Sequence, residues 1–270
     1  MQFETMAPRL SGGGTMSLVR ALALAAVALA MAAAPRPSAA DPFRFAQFDP
    51  LVGQDQNGQP IYNLSYRDSG SGGKELVTTS YPSGARAVVP VAFEFTAFDS
   101  ILPAALQGRL DATLDIDIDL APGISGTTRL SQAITSGTIT VRLDSPYLGQ
   151  DLLLKAVFTG GEITGRPGAT AGLSDVSVTA GDAITFSSDF LDFSQATTEG
   201  ITLDLNPLFP SLQKFGANSF RDFRATGSGQ FSLDGRVTLQ SVPEPSSIAL
   251  LGLAGALGGP VALARLRRRR

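Results

Sequence analysis

The chain has 270 residues, of which 43% are hydrophobic and 17% charged, with 29 Gly, 17 Pro and no Cys, His or Trp. Without thiol or imidazole there is no Cys-His or Ser-His-Asp catalysis, no zinc site built from those ligands and no disulfide. The net charge of −3 conceals an acidic middle: residues 41–241 carry 22 Asp+Glu against 13 Lys+Arg, a net of −9, between ends whose 8 basic residues are all Arg. Such a middle excludes nucleic acid as a partner, because neutralising phosphates takes clustered cations.

Residues 1–40 read as a secretion signal. Arg20 precedes an unbroken apolar run, Ala21 to Ala34. That run has the length of a signal h-region and, at about 1.5 Å per helical residue, is too short to cross a bilayer. Ser38 and Ala40 are the small residues that cleavage between Ala40 and Asp41 requires. Met16 stands just before the basic residue and is the expected start of translation. An N-terminal signal helix and the export machinery as a partner follow from this segment.

Residues 41–241 read as one all-β body. They hold 15 of the 16 Phe, all 4 Tyr and only 7 Glu+Lys, a composition that favours strand over helix. Period-two stretches recur at 91–96, 110–120, 136–143, 152–158, 173–179, 183–186, 201–205 and 225–233. Gly160-Gly161 and Asp234-Gly235 lie between apolar-alternating runs and predict tight hairpins. Short helical turns are expected at 101–107 and 208–215. Asp68 to Lys74 and Gly165 to Gly172 are expected to be exposed loop tips. Strands at roughly ten-residue spacing predict an antiparallel β-sandwich or jelly roll, in preference to a closed barrel.

Few residues of the body propose chemistry. Asp115, Asp117 and Asp119 line one face of a strand, with Asp111 and Thr113 extending the row. Oxygen at that density is a calcium candidate. The EF-hand pattern fails, however, and a solvated face with Leu114, Ile116 and Ile118 turned inward accounts for the same residues. Glu75, Glu94, Glu162 and Glu199 contain no spacing that selects a glycosidase pair. Tyr62 and Tyr66 are candidates for two rings on one strand face, presented to a sugar. Asn63-Leu64-Ser65 has the form of a glycosylation tripeptide. No cofactor is implied.

Residues 242–270 differ from the body. Val242-Pro243-Glu244-Pro245 leads into an uncharged run to Ala264, then Arg265, Leu266, Arg267, Arg268, Arg269 and Arg270. Twenty uncharged residues as helix span about 30 Å, one hydrocarbon thickness, so a single transmembrane helix is expected. The Arg cluster would hold that end in the cytoplasm and leave the body outside. A plain membrane anchor is one reading of such a tail.

Pro-Glu-Pro, a short apolar span and an Arg cluster, in that order, resemble the PEP-CTERM sorting signal of exported bacterial proteins. The resemblance implies that Pro243, Glu244 and Pro245 are recognised by an exosortase, a membrane peptidase or transpeptidase. It also implies that the span is a transient membrane tether, and that the destination is the cell surface or a biofilm matrix in bacteria that make exopolysaccharide. The body is then expected to be structural and not an enzyme, with a carbohydrate- or calcium-binding module as the alternative.

Overall fold

The structure is a computed structural model, and it describes residues 42–240 apart from 52–53, 55–56, 59, 70–72, 170–173, 179–182 and 217–218. The expected signal helix, the Ala40/Asp41 cleavage point and the whole tail from Val242, with its transmembrane helix, lie outside these residues. Fourteen strands follow one another: β1 (Phe43–Pro50), β2 (Leu64–Asp68), β3 (Lys74–Thr78), β4 (Val89–Phe95), β5 (Leu110–Leu120), β6 (Leu130–Tyr147), β7 (Gln150–Thr159), β8 (Glu162–Gly165), β9 (Ser174–Val178), β10 (Ala183–Ser187), β11 (Leu191–Phe209), β12 (Lys214–Phe215), β13 (Ser219–Phe220) and β14 (Phe223–Leu239). A 3₁₀ turn, Ala104–Leu106, falls within the helical stretch expected at 101–107. The stretch at 208–215 is not helical: it contains the end of β11 and all of β12.

Several strands are two halves of one longer run. β1 and β2 lie end to end along one edge of β14. β4 and β3 do the same along β5, and β7 and β8 along β6. β9 and β10 in turn flank β8 and β7. The wall therefore has eight positions in chain order, each antiparallel to the next, and β14 pairs back onto β1 and β2. The antiparallel all-β body expected from the period-two pattern is present. To the sandwich reading the ladders add closure, which removes the exposed edges of an open sheet. Eight strands enclose an interior that side chains can fill. Here one continuous apolar cluster fills it.

β5 shows how the sequence produces this wall. Ala112, Leu114, Ile116, Ile118 and Leu120 are buried, while Asp111 and Asp119 are exposed. Inward apolar and outward polar residues, Asp at every outward position but Thr113, alternate without a break, so a one-residue slip would bury the carboxylates.

Neither predicted hairpin forms. Gly160-Gly161, with φ of 88° and 93°, marks the place where β7 gives way to β8 along the same edge of β6. The Gly161 carbonyl accepts from the Ile134 amide at 2.9 Å, which keeps the interrupted ladder attached. Gly235, with φ of 107°, lies within β14, where the pairing with β11 shifts register between Ala196 and Thr198. Positive φ serves a bulge as well as a reversal, so the same dipeptides bend a strand that continues.

One seam lacks a ladder. Among the described residues β10 pairs with β7 only, although it lies beside β11. The seam is closed instead by rings: Phe186 of β10 meets Phe193 of β11 at 5.7 Å, and both pack on Phe45 of β1 at 5.4 and 5.5 Å. Phe186 and Phe45 also touch Phe231 of β14, at 6.0 and 6.4 Å. The Glu199 carboxylate on β11 accepts the Phe186 amide, taking up a donor that a ladder would otherwise use.

Partial burial raises the Glu199 pKa, and the hydrogen bond from Phe186 offsets this only in part. A raised carboxyl pKa means that the folded state binds the proton more tightly than the unfolded chain. Stability is therefore lost as pH rises from the ordinary Glu value of about 4.3 through the raised folded value. Glu199→Gln keeps an acceptor for Phe186 and removes the charge. Thermal melts should show this variant more stable than the native protein at pH 7 and equal to it below pH 4.

Both mouths of the barrel are plugged. Leu102 and Leu106, around the 3₁₀ turn, are buried at the end where β1 begins and β14 finishes. At the other end Leu212 and Phe220 are fully buried, and Leu212 exchanges backbone hydrogen bonds with the 168–169 segment at 2.8 and 3.0 Å.

Candidate functional site

The acidic row of β5 is on the outer wall. The guanidinium of Arg86 donates to Asp117 at 2.7 Å, the Thr78 hydroxyl to Asp115 at 3.2 Å and the Ser136 hydroxyl to Asp119 at 3.3 Å. Across β6 the three face Thr140, Thr138 and Ser136. Alternate residues of a strand are about 6.6 Å apart, too far for Asp115, Asp117 and Asp119 to share one ion. No group of three or more acids able to hold a metal occurs among the described residues. Each of these aspartates has its own protein partner, and together they solvate the wall.

The four glutamates are dispersed rather than paired. Glu75 accepts from Arg67 at 2.8 Å, and Glu94 from the Gln47 amide at 3.0 Å. Glu162 accepts from the Ser131 hydroxyl, and Glu199 sits in the β10–β11 seam. Each of the four is held by a partner of its own.

The tyrosine reading is corrected. Tyr62 precedes β2, so strand alternation does not link it to Tyr66. Tyr66 is fully buried and stacks on Phe223 at 4.9 Å and 5°, with Phe220 edge-on at 5.8 Å. Its hydroxyl donates to Gln132 Oε1 at 2.7 Å and accepts the Phe220 amide at 3.2 Å. Burial pushes the Tyr66 pKa up to about 12. Gln132 in turn donates to the Ala121 carbonyl at 2.8 Å. This chain ties β2, β6 and β13 together inside the barrel. Tyr66→Phe leaves Gln132 Oε1 and the Phe220 amide unpaired and should cost about 1–3 kcal/mol, read from urea unfolding.

Lys74 lies over the Tyr66 ring at 5.6 Å and bridges Asp222 and Asp68 at 2.7 and 3.0 Å. Burial lowers its pKa, but the two carboxylates together outweigh that and raise it. This group anchors the β2–β3 hairpin. Asn63, Leu64 and Ser65 are buried, so the tripeptide is not displayed for glycosylation.

Clefts among the described residues indent the outer wall. One of about 510 Å³ is bounded by Arg67, Phe209, Pro210, Asp222 and Arg224. Another, of about 270 Å³, is lined by Tyr62, Asn63, Tyr81 and Val88 among others. Tyr62 and Phe209 stack on each other at 6.2 Å. The larger cleft is lined by residues of β2, β11 and β14 that are far apart in the chain, so no local pattern marks it.

β14 finishes at Leu239, and the Gln240 amide donates to the Phe190 carbonyl at 2.9 Å. The next residue, Ser241, opens a segment that matches a known family: residues 241–270 correspond to the PEP-CTERM protein-sorting motif. The chain carries a PEP-CTERM sorting motif. No curated protein and no solved structure matches the chain.

The PEP-CTERM motif contains every tail residue singled out above: Pro243, Glu244, Pro245, Arg265, Arg267, Arg268, Arg269 and Arg270. Its presence supports an exported protein that is anchored in the membrane as a precursor and targeted to an exosortase. Among the described residues no helix is long and apolar enough to cross a membrane, and the apolar span of the motif lies outside them. The matched segment begins directly after the last described hydrogen bond of the barrel.

Proposed function

We propose that the protein is delivered by its N-terminal signal and held by residues 245–264 until an exosortase acts at Pro243-Glu244-Pro245. The body then becomes a non-catalytic structural component of the cell surface or biofilm matrix. The observation that supports this reading most strongly is the sorting motif at residues 241–270, two residues after β14 ends at Leu239. Two prolines restrict residues 242–245 to extended backbone, the form in which a peptidase cleft takes its substrate. A structural role for the body is supported by its acids, which are held one by one in wall contacts rather than gathered at a reacting centre.

Deleting the exosortase of the native host tests the sorting step. Immunoblots of membrane and released fractions should show a larger, membrane-retained form accumulating in the deletion strain. Identical size and distribution in both strains would remove the exosortase from the account.

A further inference from the structure

Strand alternation turns Leu64, Tyr66 and Phe223 inward, which leaves Ser65, Arg67 and Arg224 on the outer faces of β2 and β14. The ladders set Arg224 opposite Ser65 on one side and opposite Phe209 of β11 on the other. These residues border the 510 Å³ cleft, together with Ser83 and Gly84 from the connection between β3 and β4.

That connection is fixed in place. The Ser80 amide donates to the Ala85 carbonyl at 2.9 Å, and the Gly84 amide to the Ser80 carbonyl at 2.7 Å. Arg67 donates from Nη1 to the Gly84 carbonyl at 3.3 Å and from Nε to Glu75 at 2.8 Å. Arg67 is thus neutralised, and it holds the connection against the wall. The Arg224 guanidinium lies along the same glycine: a Cβ on Gly84 would stand 3.2 Å from Nη2. Unlike Arg67, Arg224 has no ion-pair or hydrogen-bond partner among the described residues, and it is exposed.

The surroundings of this free guanidinium define a ligand. Its planar fork matches a carboxylate through two parallel hydrogen bonds. Its cross-strand neighbour Phe209 is a large apolar ring left 63% exposed, steadied by Tyr62 stacked on it at 6.2 Å. Asp222 borders the same cleft, where Lys74 holds Oδ1 at 2.7 Å and the side chain is 56% exposed. A carboxylate so near the guanidinium disfavours a dianion such as phosphate and favours a ligand that also brings hydroxyl donors. The ligand therefore combines one carboxylate, hydroxyl groups and a stiff apolar face. A uronate sugar has all three, whereas an aromatic acid lacks the donors and an acidic peptide lacks the face. The net charge of −9 over residues 41–241 works against a polyanion, so the uronate is one residue among neutral sugars. The cleft lies within the usual range of about 300–1,000 Å³ for small-molecule sites.

We propose that this cleft binds a single uronate residue of an otherwise neutral glycan. Arg224 takes the carboxylate, Asp222 accepts from a hydroxyl, and a sugar face lies on Phe209. The site goes beyond the sorting reading and is independent of it: tail removal can fail with binding intact, and binding can fail with tail removal intact.

The test is isothermal titration of the protein recovered from its host. The probes are gluco-, galacto- and manno-tetrasaccharides ending in one glucuronate, galacturonate or mannuronate, their neutral counterparts, and a tetraglutamate peptide. At least one singly charged tetrasaccharide should bind, about tenfold or more tightly than its neutral counterpart. Arg224→Gln changes an exposed side chain, so the melting temperature should hold while binding weakens about tenfold or more. Arg224→Lys keeps the charge without the fork and should fall between the two. Phe209→Ser removes the platform and should also weaken binding. No binding of any singly charged tetrasaccharide overturns the proposal. So does equal binding of the neutral counterpart, preference for tetraglutamate, or binding that Arg224→Gln leaves unchanged.

Discussion

Glu244→Ala should be exported normally and keep its tail. Glu244 is the only charged residue between Arg236 and Arg265, so any electrostatic recognition of this stretch from outside the membrane reads that carboxylate. Hydrogen bonds to a charged group contribute about 1.5–3 kcal/mol, equivalent to a loss of roughly 10- to 150-fold in the specificity constant for cleavage. Losses of that size convert a processed protein into an accumulating precursor. Glu244→Gln keeps the shape, loses the charge and should behave similarly. Pro243→Ala and Pro245→Ala only relax the extended backbone and should slow processing less. Pulse-chase labelling with an antibody to the body measures all four. Removal of the N-terminal signal should be unchanged in each, because that step reads residues around Ala40. Tail removal at the native rate in Glu244→Ala would show that the motif's carboxylate is not recognised.

The second large effect is expected at Phe45. This ring is fully buried and contacts Phe98, Phe186, Phe193 and Phe231. It packs on both sides of the β10–β11 seam, the part of the wall where side chains stand in for a ladder. Truncating a buried Phe to Ala costs about 3–5 kcal/mol, a large part of the ~5–15 kcal/mol by which a domain is stable. Phe45→Leu, which retains most of the volume, should cost less than half as much. Urea unfolding gives the total loss. Hydrogen exchange gives its location: the β10 amides should lose protection first in Phe45→Ala, because β10 has one laddered edge and depends on ring packing at the other. Uniform loss of protection across β5, β6 and β10 would show that the seam is no weaker than the rest of the wall.

How far the amino-acid pattern reaches is clear from particular residues. β5 was readable because eleven residues alternate without exception, and the structure places each on the expected face. The sorting tail was readable because its motif, span and charges are contiguous. Closure was not readable, since it depends on β1 meeting β14, a pairing between opposite ends of the body that no local pattern encodes. Gly160-Gly161 and Asp234-Gly235 signal positive φ, but a bulge and a hairpin need the same φ, and only the flanking partners separate them. Tyr62 and Tyr66 have the spacing of one strand face, yet the strand begins at Leu64, so the periodicity does not extend back to Tyr62.

In the proposed sorting route, residues 242–270 are a removable tether and the barrel is what remains. The most direct test is the intact mass of the endogenous protein recovered from its host, with peptide mapping of both ends. The expected chain begins at Asp41 and lacks Arg265 to Arg270, with its new C-terminus within or next to Pro243-Glu244-Pro245. A released protein that still carries those arginines, without membrane association, would contradict it.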